Sequence, residues 1–196
     1  MWIEKRFVSG VMTGFIGTEL ILGGARSGKS SLAETLATES ELKVVYIATA
    51  TAGDDEMAAR IARHRTQRPQ HWLLVEEPRD LAAVIREYSK PGYCLLIDCL
   101  TLWLTNCLFD PEADQYPWQQ RKQEFLQALN EAQGRIILVS NEVGQGVVPM
   151  GEVSRLFVDE SGWLHQAIAK QAERVVFVTA GIPQVLKGPG LLPSEG

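Results

Sequence analysis

The sequence predicts a single α/β domain with a mainly parallel sheet flanked by helices. Three observations point there. Short apolar runs alternate with helical patterns along most of the 196 residues. The runs are rich in β-branched residues and lack alternating polarity, as expected of strands covered on both faces. No internal repeat, linker or low-complexity segment interrupts them, and the chain is long enough for one sizeable core. Such alternation gives parallel strands joined by right-handed crossovers.

Residues 1–18 read as an N-terminal extension, expected to be poorly ordered. Met1 to Arg6 carries charge, and Gly10 and Gly14 break the stretch from Phe7 to Ile16, unlike a secretory signal. Met12 offers a later start, and residues before about Gly17 are expected to be dispensable. The domain proper spans residues 19–187.

Within it, Glu19–Leu22 reads as the first strand and Ser31–Ala37 as the first helix. Lys43–Thr49 is the second strand and Ala50–Gly53 a loop. A helix opens at Asp54 or Asp55, runs to about Thr66 and is stopped by Pro69. Trp72–Glu76 is the third strand. A helix from Pro78 or Asp80 to Tyr88 is broken by Pro91-Gly92. Tyr93–Asp98 is the fourth strand, Leu100–Leu108 is helical and Asp110–Pro117 is a polar loop. Gln119–Gln133 is an amphipathic helix with Phe125, Leu126 and Leu129 on one face, stopped by Gly134. Arg135–Ser140 is the fifth strand and Asn141–Pro149 a glycine-rich loop. Helical pattern returns from Glu152 to Ala172, with a break expected near Gly162. Arg174–Thr179 is the sixth strand and Gln184–Leu186 a short edge strand. Residues 188–196 form a tail expected to be disordered.

Composition narrows the function. A net charge of −5, from 19 basic and 24 acidic residues, argues against a general nucleic-acid or membrane-surface binder. No run of 18 apolar residues exists, so no membrane span is expected. Cys94, Cys99 and Cys107 lack metal-ligand spacing and suit reduced, buried thiols in the cytoplasm.

The chemistry gathers where the first strand meets the first helix. Gly23-Gly24-Ala25-Arg26-Ser27-Gly28-Lys29-Ser30 fits G-x-x-x-x-G-K-[ST], a loop that cradles phosphate. Its glycines let backbone N–H groups turn toward phosphate oxygens, and the helix adds its positive end. Lys29 would reach the β- and γ-phosphates, and Ser30 would place its hydroxyl on Mg²⁺.

Asp98 closes an apolar strand, where a Mg²⁺-holding acid sits in this class, or where an ordinary acid caps the next helix. His64 shares a helix face with Arg60, and Arg63, Arg65 and Arg68 make that segment basic. Two readings stand for it: a solvated basic helix, or a triphosphate site with His64 as acid, base or nucleophile. His71 and His165 are read as structural. The loop from Asn141 to Gly146 either orients a nucleotide or acceptor or is a plain glycine loop. Ligands of parallel sheets gather at the carboxyl ends of strands, so loops 23–30, 48–55, 99–101 and 141–146 should share one rim.

Taken together, several segments resemble one family. They are the phosphate loop, Tyr46-Ile47-Ala48-Thr49, Asp54-Asp55-Glu56-Met57 with Arg60-Ile61 and His64-Arg65, Arg68-Pro69, Asp98-Cys99-Leu100-Thr101 with Trp103 and Asn106, Ser140-Asn141-Glu142-Val143-Gly144, and Gly181-Ile182-Pro183. This resembles the bifunctional adenosylcobinamide kinase/adenosylcobinamide-phosphate guanylyltransferase family of cobalamin biosynthesis, from about Leu20 to Lys187. The resemblance implies a RecA-like P-loop fold, a homotrimer, and ATP and GTP as substrates with Mg²⁺. It implies phosphorylation of adenosylcobinamide, then transfer of GMP through a guanylylated histidine, here His64, to give adenosylcobinamide-GDP. Neutral imidazole is a competent nucleophile near neutral pH. A plain P-loop small-molecule kinase and a nucleotide-operated binding switch are the two readings that the residues alone leave open.

Overall fold

A computed structural model describes residues 15–51, 69–110 and 115–191. The elements are β1 (Thr18–Gly23), α1 (Lys29–Thr38), β2 (Lys43–Ala48), β3 (Leu73–Glu76), α2 (Leu81–Tyr88), β4 (Tyr93–Asp98), α3 (Leu100–Leu108), α4 (Trp118–Glu131), β5 (Arg135–Asn141), α5 (Glu152–Gln171), β6 (Arg174–Thr179) and β7 (Ile182–Lys187). The helix expected from residue 54 to 66 lies outside the described residues, as do residues 1–14 and 192–196.

The seven strands form one sheet in the order β3-β2-β4-β5-β1-β6-β7. All neighbours are parallel except β6 and β7, which pair antiparallel. β5 therefore lies between β1 and β4, with Asp98 beside Val139 and Gly23 beside Asn141. The carboxyl ends of β1, β2, β4 and β5 open on one rim, as the alternation predicts.

Side chains two apart in a strand share a face. Leu20, Leu22, Val45, Ile47, Leu95, Ile97, Ile136 and Leu138 pack on one face against α2 to α5. Ile21, Val44, Tyr46, Leu96, Ile137 and Val139 pack on the other, against Ala33, Leu36 and Ala37 of α1. Each fully buried aliphatic side chain contributes about 1.5–3 kcal/mol, which holds the strand ends in fixed register under the rim.

The amino end of the sheet is held differently. Glu19 is fully buried and accepts from Arg135 Nε at 2.7 Å and Arg174 Nε at 2.8 Å. The Phe15 ring lies 4.3 Å from the Arg174 guanidinium. Contact with the domain thus begins two residues before Gly17. At the other terminus Arg174 also donates to the Gly190 carbonyl at 3.2 Å, and Leu191 packs on the core. Residues 188–191 are therefore held against the domain rather than disordered.

Two other expectations change. α5 runs through Gly162 unbroken, because that glycine faces open space and its neighbours keep the helical ladder. α4 ends at Glu131, three residues before Gly134. A Cβ at residue 134 would sit 2.9 Å from the carbonyls of Lys90 and Tyr93, so that glycine serves a close backbone approach rather than a cap.

Candidate active site

The turn from β1 into α1 is shaped by contacts only glycine permits. A Cβ on Gly23 would lie 2.5 Å from both Ser27 Oγ and the Val178 carbonyl. Ala25 and Arg26 form the exposed tip, and Arg26 takes φ 56°. The Ser27 amide donates to the Gly24 carbonyl at 3.2 Å. Gly28 sits at φ 98° directly before the helix, in the region that favours glycine. The first turn of α1 has no side-chain cap and no acidic residue. Its amides are thus open to an anion.

Lys29 and Ser30 follow as the first two helical residues. Lys29 is buried, and its Nζ donates to the Gly24 carbonyl at 3.0 Å. Burial lowers its pKa, while the charge of Asp98 pulls it back up. Lys29 and Asp98 thus act on one another across the rim. Ser27 Oγ is buried without a partner among the described residues. Asp98 keeps one oxygen on the Tyr46 hydroxyl, Oδ2 at 3.1 Å. Asp98 and Ser30 supply hard oxygens, the donor type that suits Mg²⁺. Among the described residues no group of three or more His, Cys, Asp or Glu could hold a metal. A Mg²⁺ ion here would depend on phosphate oxygens and water as well.

The residues after Asp98 are fixed from several sides. Thr49 Oγ1 accepts the Cys99 amide at 2.9 Å and donates to the Cys99 carbonyl at 2.8 Å. Asn106 Nδ2 donates to the carbonyls of Thr49 at 2.8 Å and Pro78 at 3.1 Å. Trp103 Nε1 donates to the Arg79 carbonyl at 2.7 Å. Thr49, Trp103 and Asn106 therefore tie the ends of β2 and β4 to α3, and their polar groups are occupied by backbone.

At the end of β5, the Glu142 amide donates to the Gly23 carbonyl at 3.0 Å, and Glu142 Oε1 accepts the Gly144 amide at 2.6 Å. Ser140 Oγ lies 2.8 Å from His165 Nε2. Reading the sequence as a one-dimensional pattern missed this pair; a histidine on the buried stripe of α5 gives no sign of which strand end it meets. His71 is exposed in the turn before β3. His64 and the arginines around it lie outside the described residues.

Residues 19–186 match the family model described as cobinamide kinase / cobinamide phosphate guanyltransferase. The chain belongs to that family. Its members are kinase and guanylyltransferase enzymes of cobalamin biosynthesis. The chain is 60% identical over 173 residues to the bifunctional adenosylcobalamin biosynthesis protein CobP of Pseudomonas aeruginosa, covering 88% of this chain and 99% of that protein. It is 40% identical over 179 residues to the corresponding CobU protein of Escherichia coli, covering 86% and 98%. Among solved structures, an ATPase from the type III secretion system of pathogenic bacteria has a similar fold at TM-score 0.54 and 14% identity, covering 83% of this chain and 52% of that one. The fold of this family member is thus a RecA-like P-loop domain. Among the described residues, no helix is long and apolar enough to cross a membrane.

Proposed function

We propose that the protein phosphorylates adenosylcobinamide and then converts the phosphate to adenosylcobinamide-GDP. First, ATP or GTP gives its γ-phosphoryl group to the aminopropanol hydroxyl of the corrinoid. Second, GTP guanylylates His64, and the GMP passes to adenosylcobinamide phosphate. The observation that carries this reading is Lys29, buried at the head of α1 between the Gly24 carbonyl and the charge of Asp98, in a chain of this family.

The amides of residues 23–30 and the head of α1 would hold the β- and γ-phosphates. Lys29 would exchange the Gly24 carbonyl for a phosphate oxygen. Ser30 and Asp98 would hold Mg²⁺, which when bound neutralises phosphate charge. His64 would attack the α-phosphorus with its neutral ring nitrogen. An N–P bond forms, the bond to the bridging oxygen breaks, and pyrophosphate leaves with that electron pair. Fixed positive groups beside the departing phosphates would lower this barrier as well.

The same reading includes a homotrimer in the cytoplasm. Val147, Val148 and Met150 are exposed, and so are Val153, Leu156 and Trp163 on one stripe of α5. An apolar band of this kind supports packing against further copies of the chain. Burial pushes the thiols of Cys94 and Cys107 up to about 12 and that of Cys99 to about 11, which suits inert thiols in a reducing compartment.

Incubation with adenosylcobinamide and ATP or GTP tests the kinase half. The expected result is nucleoside diphosphate and phosphorylated corrinoid in equal amounts. Nucleotide turnover that ignores the corrinoid would favour a partner-binding switch instead.

A further inference from the structure

Beside the phosphate loop lies a second chain of polar groups that the scheme above leaves unused. Ser140 Oγ sits 2.8 Å from His165 Nε2 and 3.3 Å from Thr101 Oγ1, which accepts the Asn141 amide at 2.8 Å. On the far side of the imidazole, Nδ1 lies 3.6 Å from Glu142 Oε2. That gap exceeds a hydrogen bond, and Nδ1 is buried with no hydrogen-bond partner among the described residues. Glu142 opens to solvent at the rim, its side chain 22% exposed. Its amide on the Gly23 carbonyl fixes it at the mouth of the phosphate loop.

Both neutral tautomers satisfy the Ser140 and Thr101 contacts, because the two hydroxyls can each donate or accept. In the tautomer that can take a proton from Glu142, Nε2–H donates to Ser140, Ser140 donates to Thr101, and Nδ1 keeps a free lone pair facing Glu142. Burial favours this neutral ring, against the pull of Glu142. α3 brings Thr101 to Ser140. α4 packs on α5 with Lys122, already paired with Glu160 at 3.0 Å. β1 presents Leu20 and Leu22 on this face; Glu19, held by Arg135 and Arg174, lies on the opposite face of the sheet. Glu142 is the charge that acts on His165.

We propose that Glu142 is the general base of the kinase step and that His165 is the positioning residue acting through it. The proposal rests on the kinase reading above. The O–H bond of the acceptor hydroxyl breaks as its oxygen bonds to the γ-phosphorus. The bond to the β,γ-bridging oxygen breaks, and the nucleoside diphosphate leaves with that electron pair. The proton goes to Glu142 Oε2 and on to His165 Nδ1, then returns to water through Glu142 after product release.

Glu142→Gln is the decisive variant. Glutamine keeps an oxygen for the Gly144 amide but cannot take up a proton. The kcat for adenosylcobinamide phosphorylation should fall about 10²- to 10⁴-fold, the range for losing a positioned base. KM and ATP affinity should stay within a few-fold, and the acid limb of the pH–kcat profile should vanish. Glu142→Asp should retain part of the rate and the acid limb. His165→Gln should lower kcat less and shift that limb. A Glu142→Gln enzyme with kcat within threefold of the unaltered protein and an intact acid limb would overturn the proposal. So would equal losses of ATP affinity and kcat in Glu142→Gln and Glu142→Asp, which a loop-shaping role produces. An unaltered protein that phosphorylates no corrinoid would remove the kinase reading and this base with it, a result distinct from either.

Discussion

Gly181 donates its amide to the Ser27 carbonyl at 2.8 Å. Ala180 and Gly181 are the two-residue turn between β6 and β7, with φ 52° and 80°. Positive φ at both positions matches the tight turn that suits twisted antiparallel strands. This hairpin tip braces the phosphate loop from outside, across more than 150 residues of sequence.

The brace predicts the effect of Gly28→Ala. A Cβ there would sit 3.2 Å from the Gly181 Cα, and φ 98° disfavours any side chain. Loop and hairpin tip must separate to admit it. ATP and GTP affinity should fall about tenfold or more, the scale of 1.4 kcal/mol, in a titration against the unaltered protein. Unchanged affinity would show that the brace does not shape the phosphate site.

Lys29→Met should separate activity from stability. One loop is proposed to serve both reactions, so both should drop on the order of 10²-fold or more, the scale for one charge-stabilising donor. The melting temperature should hold or rise, because burial works against the charge of Lys29 in the folded state. Kinase activity surviving intact while guanylylation vanishes would require separate sites.

Glu19→Gln should be costly far from the site. It leaves Arg135 and Arg174, both nearly fully buried, facing a neutral group. Breaking a buried ion cluster from one side costs about 3–5 kcal/mol, or on the order of 10 °C in a domain of this size. Thermal unfolding at neutral pH reads this directly, and a shift under 2–3 °C, about 1 kcal/mol, would mean that the cluster contributes little.

His165 predicts how stability depends on pH. Its folded pKa lies below the reference 6.5, chiefly through burial. The unfolded chain therefore binds the proton first as pH falls. Stability from this group is full above 6.5 and declines below it until the folded pKa is reached. Denaturant titrations between pH 7.5 and pH 5, bracketing the reference value of about 6.5, should show this decline, and His165→Gln should flatten it. An unchanged slope in the variant would assign the decline to other groups.

Much of this was legible in sequence because each strand is locally self-consistent. β4 and β6 begin and end where the apolar runs do. The phosphate loop was legible because glycine spacing encodes backbone shape within eight residues. The order of strands was not, because nothing local says that β5 comes between β1 and β4. For the same reason the Gly181 brace and the Glu142–His165 pair were hidden: both join residues brought together only by the sheet. Trp103 and Asn106 stood out as a motif, yet their polar groups turn out to bind backbone.

Labelling by GTP is the most direct test of covalent guanylyl transfer. GTP carrying label at its α-phosphate should transfer it to His64 with release of pyrophosphate. The adduct should be acid-labile and alkali-stable, as a phosphoramidate is. Adenosylcobinamide phosphate should discharge it. His64→Ala should abolish labelling while sparing some phosphorylation of adenosylcobinamide, since phosphoryl transfer needs positioning and charge but no covalent nucleophile. Label that persists in His64→Ala, or maps to His71, His165, Lys29 or Ser30, would contradict the histidine route and leave a plain kinase as the better description.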